Sequence, residues 1–416
     1  MKQFKKINEK QIPFIPNIRF LHTKSGKIIG AFNVEKREEY NIFELEENGD
    51  LKIIYSGNGQ LHITNSFIYP EVHFDDDIHN IAIFYVVKEI KKAIIVLYNY
   101  NTEQAKEIEI ELSDVRLVKK ICSFPDKRLL IILHPYKAIC IAPSGNILWT
   151  FDSSQMSFED YNEPMPNQGR TIEDAAIIND KLAALFIRCD MVATHMTLID
   201  HQGKEFRSFK DLNFGMDMSH TFKKEQQDEW SIIDRYYKNT NEYEWLPSIN
   251  YYFTKRTFNN NWNLIKEKQC VLSSISDIHT ITALENSSII GIQKILIKDQ
   301  KIHFVANFYE LNHNTFEYKL LFSTKELNGQ WKIPIYSKIV SFTSSMNIIL
   351  NVYKFEQNNK YHVFMISKDG EIVRKKTLNC RDFPEGGIWG FCQNDVFTLI
   401  TSDMDSNIKI TQYLID

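Results

Sequence analysis

The chain has 416 residues and a formal net charge of −4, from 49 Lys and Arg against 53 Asp and Glu. That balance leaves no basic excess to draw in nucleic acid or an anionic membrane, and a charged fraction of 25% excludes wholesale disorder. Aromatic residues make up 13%, with only 15 Gly and 11 Pro, so the composition favours strands joined by turns built on Asn, Asp and Ser.

The first residues, "MKQFKKINEKQIPF", lack the apolar core of a secretory signal. No window reaches the roughly 18 uninterrupted apolar residues of a membrane span. A cytoplasmic protein is expected. The six cysteines (122, 140, 189, 270, 380 and 392) form no C-x-x-C pair and no zinc spacing. Four of them fall inside apolar runs, which reads as reduced thiols rather than disulfides.

In chain order, the first strand-like runs after the N-terminus are "NIRFLH" (17–22) and "KIIGAFNV" (27–34). They precede "IFELEENGDLKIIY" (42–55), a hairpin with its turn at Gly49. The same grammar returns as 67–74, 80–87 and the hairpin 94–110, then as 118–124, 128–134 and "APSGNILWTF" (142–151). A fourth unit is 172–178, 181–187 and 196–209. In the fifth, residues 213–247 must supply two strands, of which only "WSIIDRYY" (230–237) is clear, before the hairpin 249–265. The sixth is 278–284, 287–293 and 304–322, and the seventh 337–343, 347–353 and 363–376. The turn centres lie near Gly49, Asn101, Gly145, Gly203, Asn260, His313 and Gly370. Their mean spacing is about 53 residues, and each turn carries Gly or Asn, which tolerate the positive φ of tight hairpins.

Four strands per unit, A to D from axis to rim, predict an all-β β-propeller formed as a single domain over 1–416. An eighth unit, 387–392, 395–402 and 407–415, lacks its outermost strand. The spacing therefore predicts eight four-stranded blades, with the N-terminal segment 2–8 completing the last one. Seven blades, the alternative, would need about 59 residues each.

"SGNILWTF" resembles the tail of a quinoprotein-type repeat, where a Gly turn is followed by Trp; "NGDLKIIY", "QGKEFRSF" and "DGEIVRKK" lack that Trp. The resemblance is to the β-propeller superfamily and implies no cofactor and no site. The chain has no Trp-Asp dipeptide, no Gly-His start and no regularly repeated Gly-Gly pair, so the WD40 and kelch signatures are absent.

In such a fold the D–A and B–C connections share one face, and long loops on a rigid frame carry recognition. Three D–A connections are long: 152–171, 213–230 and 379–387. The first offers Asp160, Tyr161 and Arg170, residue types suited to binding hot spots, or else a solvated acidic loop. The second holds Asp217 and His220, either a base with its orienting carboxylate or an ordinary loop pair. The third holds Arg381 and Asp382 before the only Gly-Gly. His195, in the fourth B–C connection, is a candidate by position. "HFDDDIH" (73–79) lacks the alternating oxygen ligands and Gly of a calcium loop, so it reads as an acidic turn and no metal is assigned.

The expected function is a scaffold presenting these loops to a protein or peptide partner, with no nucleic acid, membrane or cofactor involved. The alternative is a propeller hydrolase or lyase using Asp160, Asp217, His195 or His220 as acid–base groups at the channel mouth.

Overall fold

A computed structural model describes residues 2–12, 18–22, 28–33, 39–46, 48–58, 73–75, 80–87, 92–99, 102–111, 117–156, 170–188, 193–215, 220, 222–226, 229–243, 246–274, 280–283, 287–298, 301–323, 335–342, 348–354, 360–367, 371–379, 389–393, 395–402 and 407–415. Strand formation follows the sequence closely: alternating or continuous Ile, Leu, Val, Phe and Tyr runs are bounded by Asn, Gly and Asp turns.

Among the described residues the strands form eight sheets. The N-terminus gives β1 (Lys2–Gln3) and β2 (Lys5–Ile12). The first sheet is β3 (Arg19–His22), β4 (Ile28–Asn33), β5 (Glu39–Leu45) and β6 (Leu51–Asn58). The second is β7 (His73–Asp75), β8 (Asn80–Val87), β9 (Lys92–Asn99) and β10 (Gln104–Glu111). The third is β11 (Leu117–Ser123), β12 (Leu129–His134), β13 (Lys137–Ile141) and β14 (Ile147–Asp152). The fourth is β15 (Ile172–Ile177), β16 (Leu182–Arg188), β17 (Ala193–Asp200) and β18 (Glu205–Gly215). The fifth is β19 (Phe222–Gln226), β20 (Glu229–Tyr243), β21 (Leu246–Asn259) and β22 (Leu264–Ser274). The sixth is β23 (Thr280–Ala283), β24 (Ser287–Lys298), β25 (Lys301–Asn312) and β26 (Tyr318–Ser323). The seventh is β27 (Ile335–Phe342), β28 (Ile348–Lys354), β29 (Lys360–Ile366) and β30 (Ile372–Asn379). The last is β31 (Trp389–Gln393), β32 (Val396–Ser402), β33 (Ile408–Leu414) and, on its outer edge, β2.

Consecutive sheets pack face to face. Buried apolar clusters join the third to the fourth, the fourth to the fifth and the fifth to the sixth. Another joins the seventh to the last, and Ile18, Ile28, Phe43 and Leu45 join the first sheet to Ile400, Ile408 and Ile410 of the last. Inner strands run side by side from sheet to sheet: β7 by β11, β11 by β15, β23 by β27 and β27 by β31. Antiparallel sheets stacked in chain order, with first strands adjacent, define a β-propeller.

One seam contact recurs. The outer strand of a sheet lies against the C–D turn of the next. Lys106 on β10 sits against Gly145, and Trp149 on β14 against Gly203. Arg207 on β18 donates to the Asn261 carbonyl at 2.7 Å, and Lys268 on β22 to the Thr315 carbonyl at 3.1 Å. Lys10 on β2 meets Gly49 of the first sheet in the same way and pairs with Asp50. The Trp of the quinoprotein-like tail is thus a seam residue, 8% exposed.

The segment beside β33 is Lys5–Ile12, not 2–8; its register runs from Lys5↔Leu414 to Ile12↔Ile408. Lys2 and Gln3 instead add a parallel strand to β30. Phe4 is the reason for the break. It turns inward and is buried against Phe397 and Tyr413, with ring centroids 5.9 and 5.6 Å apart.

The fifth unit departs furthest from expectation. Residues 213–230 are not a long loop, because β18 runs on to Gly215 and β19 fills Phe222–Gln226. That strand is too polar to read by composition. It is held by pairing with β20 and by Phe222 against Trp262, at 5.8 Å and 83°. Hairpins β20–β21 and β24–β25 also outrun their predicted lengths. Their registers extend to Tyr243↔Leu246 and Lys298↔Lys301. Of the acidic run 73–79, His73–Asp75 is strand β7 and the rest lies outside the described residues.

Candidate functional site

Strand alternation places the B–C turns and D–A connections at one end of every sheet. This end carries the two long hairpins. In the fifth sheet β19 pairs with β20 only from Phe222↔Ile232 to Gln226↔Glu229. From Ile233 to Tyr243, no strand among the described residues pairs on that side of β20. In the sixth, β23 stops at Thr280↔Gly291 and β26 at Asn307↔Ser323. On the other side β22 pairs with β21 out to Ile249↔Ser274, so the fifth-sheet hairpin is a two-stranded ribbon among the described residues only beyond Asn239↔Ile249, and the sixth-sheet hairpin beyond the ends of β23 and β26. At about 3.3 Å per residue, a 15-residue β20 reaches roughly twice as far as the 7-residue β16.

Two D–A connections at this end stand on stitched feet. At the base of 157–169, Ser153 is buried, and its Oγ donates towards the carbonyls of Arg170 at 2.6 Å and Tyr136 at 3.0 Å. Arg170, itself exposed, returns a guanidinium hydrogen bond to the Ser154 carbonyl. Asp160 and Tyr161 lie outside the described residues, as do Asp217, Arg381 and Asp382.

The feet of 216–219 are held by buried carboxylates. Gly215 N donates to Asp234 Oδ1 at 2.8 Å and His220 N to Asp174 Oδ2 at 2.7 Å. His220 is 1% exposed. Its Nδ1 faces Asp174 Oδ2 at 2.8 Å and its Nε2 faces Asp234 Oδ1 at 3.2 Å. The ring stacks on Phe186 with centroids 3.7 Å apart. Charges alternate outward from it. Lys120 Nζ lies 2.5 Å from Asp174, Arg256 Nη1 3.2 Å from Asp234, and Arg256 Nε 2.8 Å from Glu267. Burial alone would push the His220 pKa down, but hydrogen bonds and charge from both aspartates hold it above its ordinary value. Burial likewise opposes ionisation of Asp174, and the His220 hydrogen bond and Lys120 charge overcome it, so its carboxyl is held low.

His220 thus lies on the connection between β18 and β19, as the sequence places it, but it is buried and clamped between two carboxylates rather than exposed. Both ring nitrogens are occupied, which leaves none for a substrate proton. His195 is also buried, on β17 rather than in a connection, with Nδ1 3.3 Å from the Phe209 carbonyl. Burial pushes the thiols of Cys140 and Cys270 up to about 11, which keeps both protonated and weakly nucleophilic at neutral pH. Among the described residues no group of three His, Cys, Asp or Glu could hold a metal ion, and no helix is long and apolar enough to cross a membrane.

No protein-family model and no curated protein matches the chain. Solved structures similar to it include a chain of the mitotic checkpoint complex, with 9% identity and a TM-score of 0.40, covering 82% of this chain and 85% of that one. A eukaryotic initiation factor matches with 10% identity, a TM-score of 0.41, and 73% and 65% coverage. The β-propeller domain of the Trilobed protease from Pyrococcus furiosus, reported with an open velcro topology, matches with 12% identity, a TM-score of 0.41, and 97% and 95% coverage.

Proposed function

We propose that the eight sheets are eight blades of one propeller domain spanning 1–416, and that this domain is an interaction scaffold for a protein or peptide partner. The reading rests above all on the two ribbons that stand out from the end bearing the D–A connections. Unpaired strand edges are templates for an added strand, and soluble proteins ordinarily keep them short or covered. The tip of the β20–β21 ribbon also carries Tyr243, a residue type enriched at binding hot spots. Arg170, with Asp160, Tyr161, Asp217, Arg381 and Asp382 on the D–A connections, would form the surrounding contacts. The stitched feet of 157–169 and 216–219 support this use, because a fixed base lowers the ordering cost of binding. A reducing cytoplasm suits the four described cysteines, all free thiols.

The test shortens both ribbons at directly paired positions. Residues 240–248, between Asn239 and Ile249, and 295–304, between Lys294 and Val305, are each replaced by Asn-Gly, which closes a two-residue hairpin. The intact chain should co-purify a reproducible partner from its own cell, and the shortened chain should lose it at unchanged melting temperature. Equal recovery with the shortened chain would refute the reading.

A further inference from the structure

At the opposite end of the fifth sheet, where the A–B and C–D turns lie, a cleft of about 430 Å³ opens between that sheet and the β25–β26 turn. Glu225, Glu229, Lys255, Lys266, Lys268 and Asn314 line it. The β21–β22 register sets Lys255 directly opposite Lys268, and Thr257 opposite Lys266. Like charges facing each other across a sheet repel, and Lys255 is 9% exposed, so this arrangement opposes folding. One glutamate offsets part of it. Lys255 Nζ lies 2.6 Å from Glu225 Oε1 and donates to the His313 carbonyl at 2.8 Å. Neutral oxygens also accept from two amines beside it. Lys268 donates to the Thr315 carbonyl at 3.1 Å and Lys223 to Asn314 Oδ1 at 3.2 Å. Three lysines thus line the cleft with two glutamates, and Ile265, 49% exposed, adds an apolar wall.

We propose that this cleft is a binding site for a small organic phosphate, its dianionic group neutralising Lys266 and Lys268 and its body lying on Ile265. Lysine binds phosphate as a point charge, which needs the amines close but not forked. The local field is already legible at His313, whose Nε2 faces Ser288 Oγ at 2.8 Å. Burial lowers its pKa first, and the charges of Lys223 and Lys255 lower it further against the opposing pull of Glu225. A bound dianion reverses that field.

The full chain is titrated by calorimetry with phenyl phosphate, inorganic phosphate and citrate, at low and moderate salt. Saturable one-to-one binding of phenyl phosphate is expected, tighter than either other probe and weakened by salt. Lys266→Gln/Lys268→Gln, both changes on exposed side chains, should weaken it about tenfold or more. The His313 imidazole, assigned with His313→Gln, should titrate at higher pH when phenyl phosphate is bound. Absence of saturable binding, preference for citrate, equal affinity for inorganic phosphate, or affinity unchanged in the double variant would each overturn the assignment.

Discussion

His220 keeps its proton because two buried carboxylates outweigh the cost of desolvating a cation. Removing that cation breaks two buried ion pairs at once and leaves Asp174 to Lys120 alone and Asp234 to an Arg256 shared with Glu267. His220→Gln should therefore cost about 3–5 kcal/mol, measured by urea denaturation at pH 7. The pH dependence has a definite sign. A histidine whose pKa is raised on folding stabilises fully below its unfolded value near 6.5, and that contribution fades as pH rises through the folded value. The melting temperature of the native chain should fall on going from pH 6.5 towards 9, and His220→Gln should flatten that slope. Gly203 tests the seam at the same scale. Its φ is +80°, and a Cβ there would lie 2.8 Å from Trp149 Cδ2. Gly203→Ala should cost about 2–4 kcal/mol, from backbone strain plus overpacking, read in the same denaturation assay. The glycine turn and the Trp were visible in the sequence as separate features. Their contact was not, and neither was the pairing of His220 with Asp174, 46 residues away.

Elements were legible where hydrophobic pattern and turn chemistry agreed. Asn80–Val87 matches its expected bounds, and the Gly49, Gly145 and Gly203 turns all have positive φ. Recognition failed where a strand owes its place to neighbours. β19, "FKKEQ", has one apolar anchor, and its polar residues Lys223 and Glu225 serve the charged end of the fifth sheet. The long hairpins were missed for a related reason: "KILIKDQKIHF" alternates weakly, so its ends read as loop. Two-stranded ribbons contribute little stability by themselves, so shortening both should change urea-unfolding stability by less than about 1 kcal/mol. A larger loss would mean that their edges are covered within the chain and are not open to a partner.

At the level of the whole molecule, the seams are the unit of repetition. Lys10 against Gly49 repeats what Lys106 does at Gly145 and Trp149 at Gly203, which makes β2 the outer strand of the last sheet by the same rule that orders the others. Closure then hides the edge of β33, as a circular fold requires. The sequence spacing pointed to this closure, but it could not locate the inward turn at Phe4 that shifts the closing strand to Lys5–Ile12. Both ends of the propeller, with the ribbons on one and the lysine cleft on the other, depend on the ring being shut in this way. Asn8 Nδ2 donates to Gln412 Oε1 at 3.1 Å, so these two side chains meet across the closure. Oxidising Asn8→Cys/Gln412→Cys and mapping the disulfide-linked peptides should give an 8–412 crosslink within a monomer. An uncrosslinked pair, or linkage only between molecules, would contradict the closed ring.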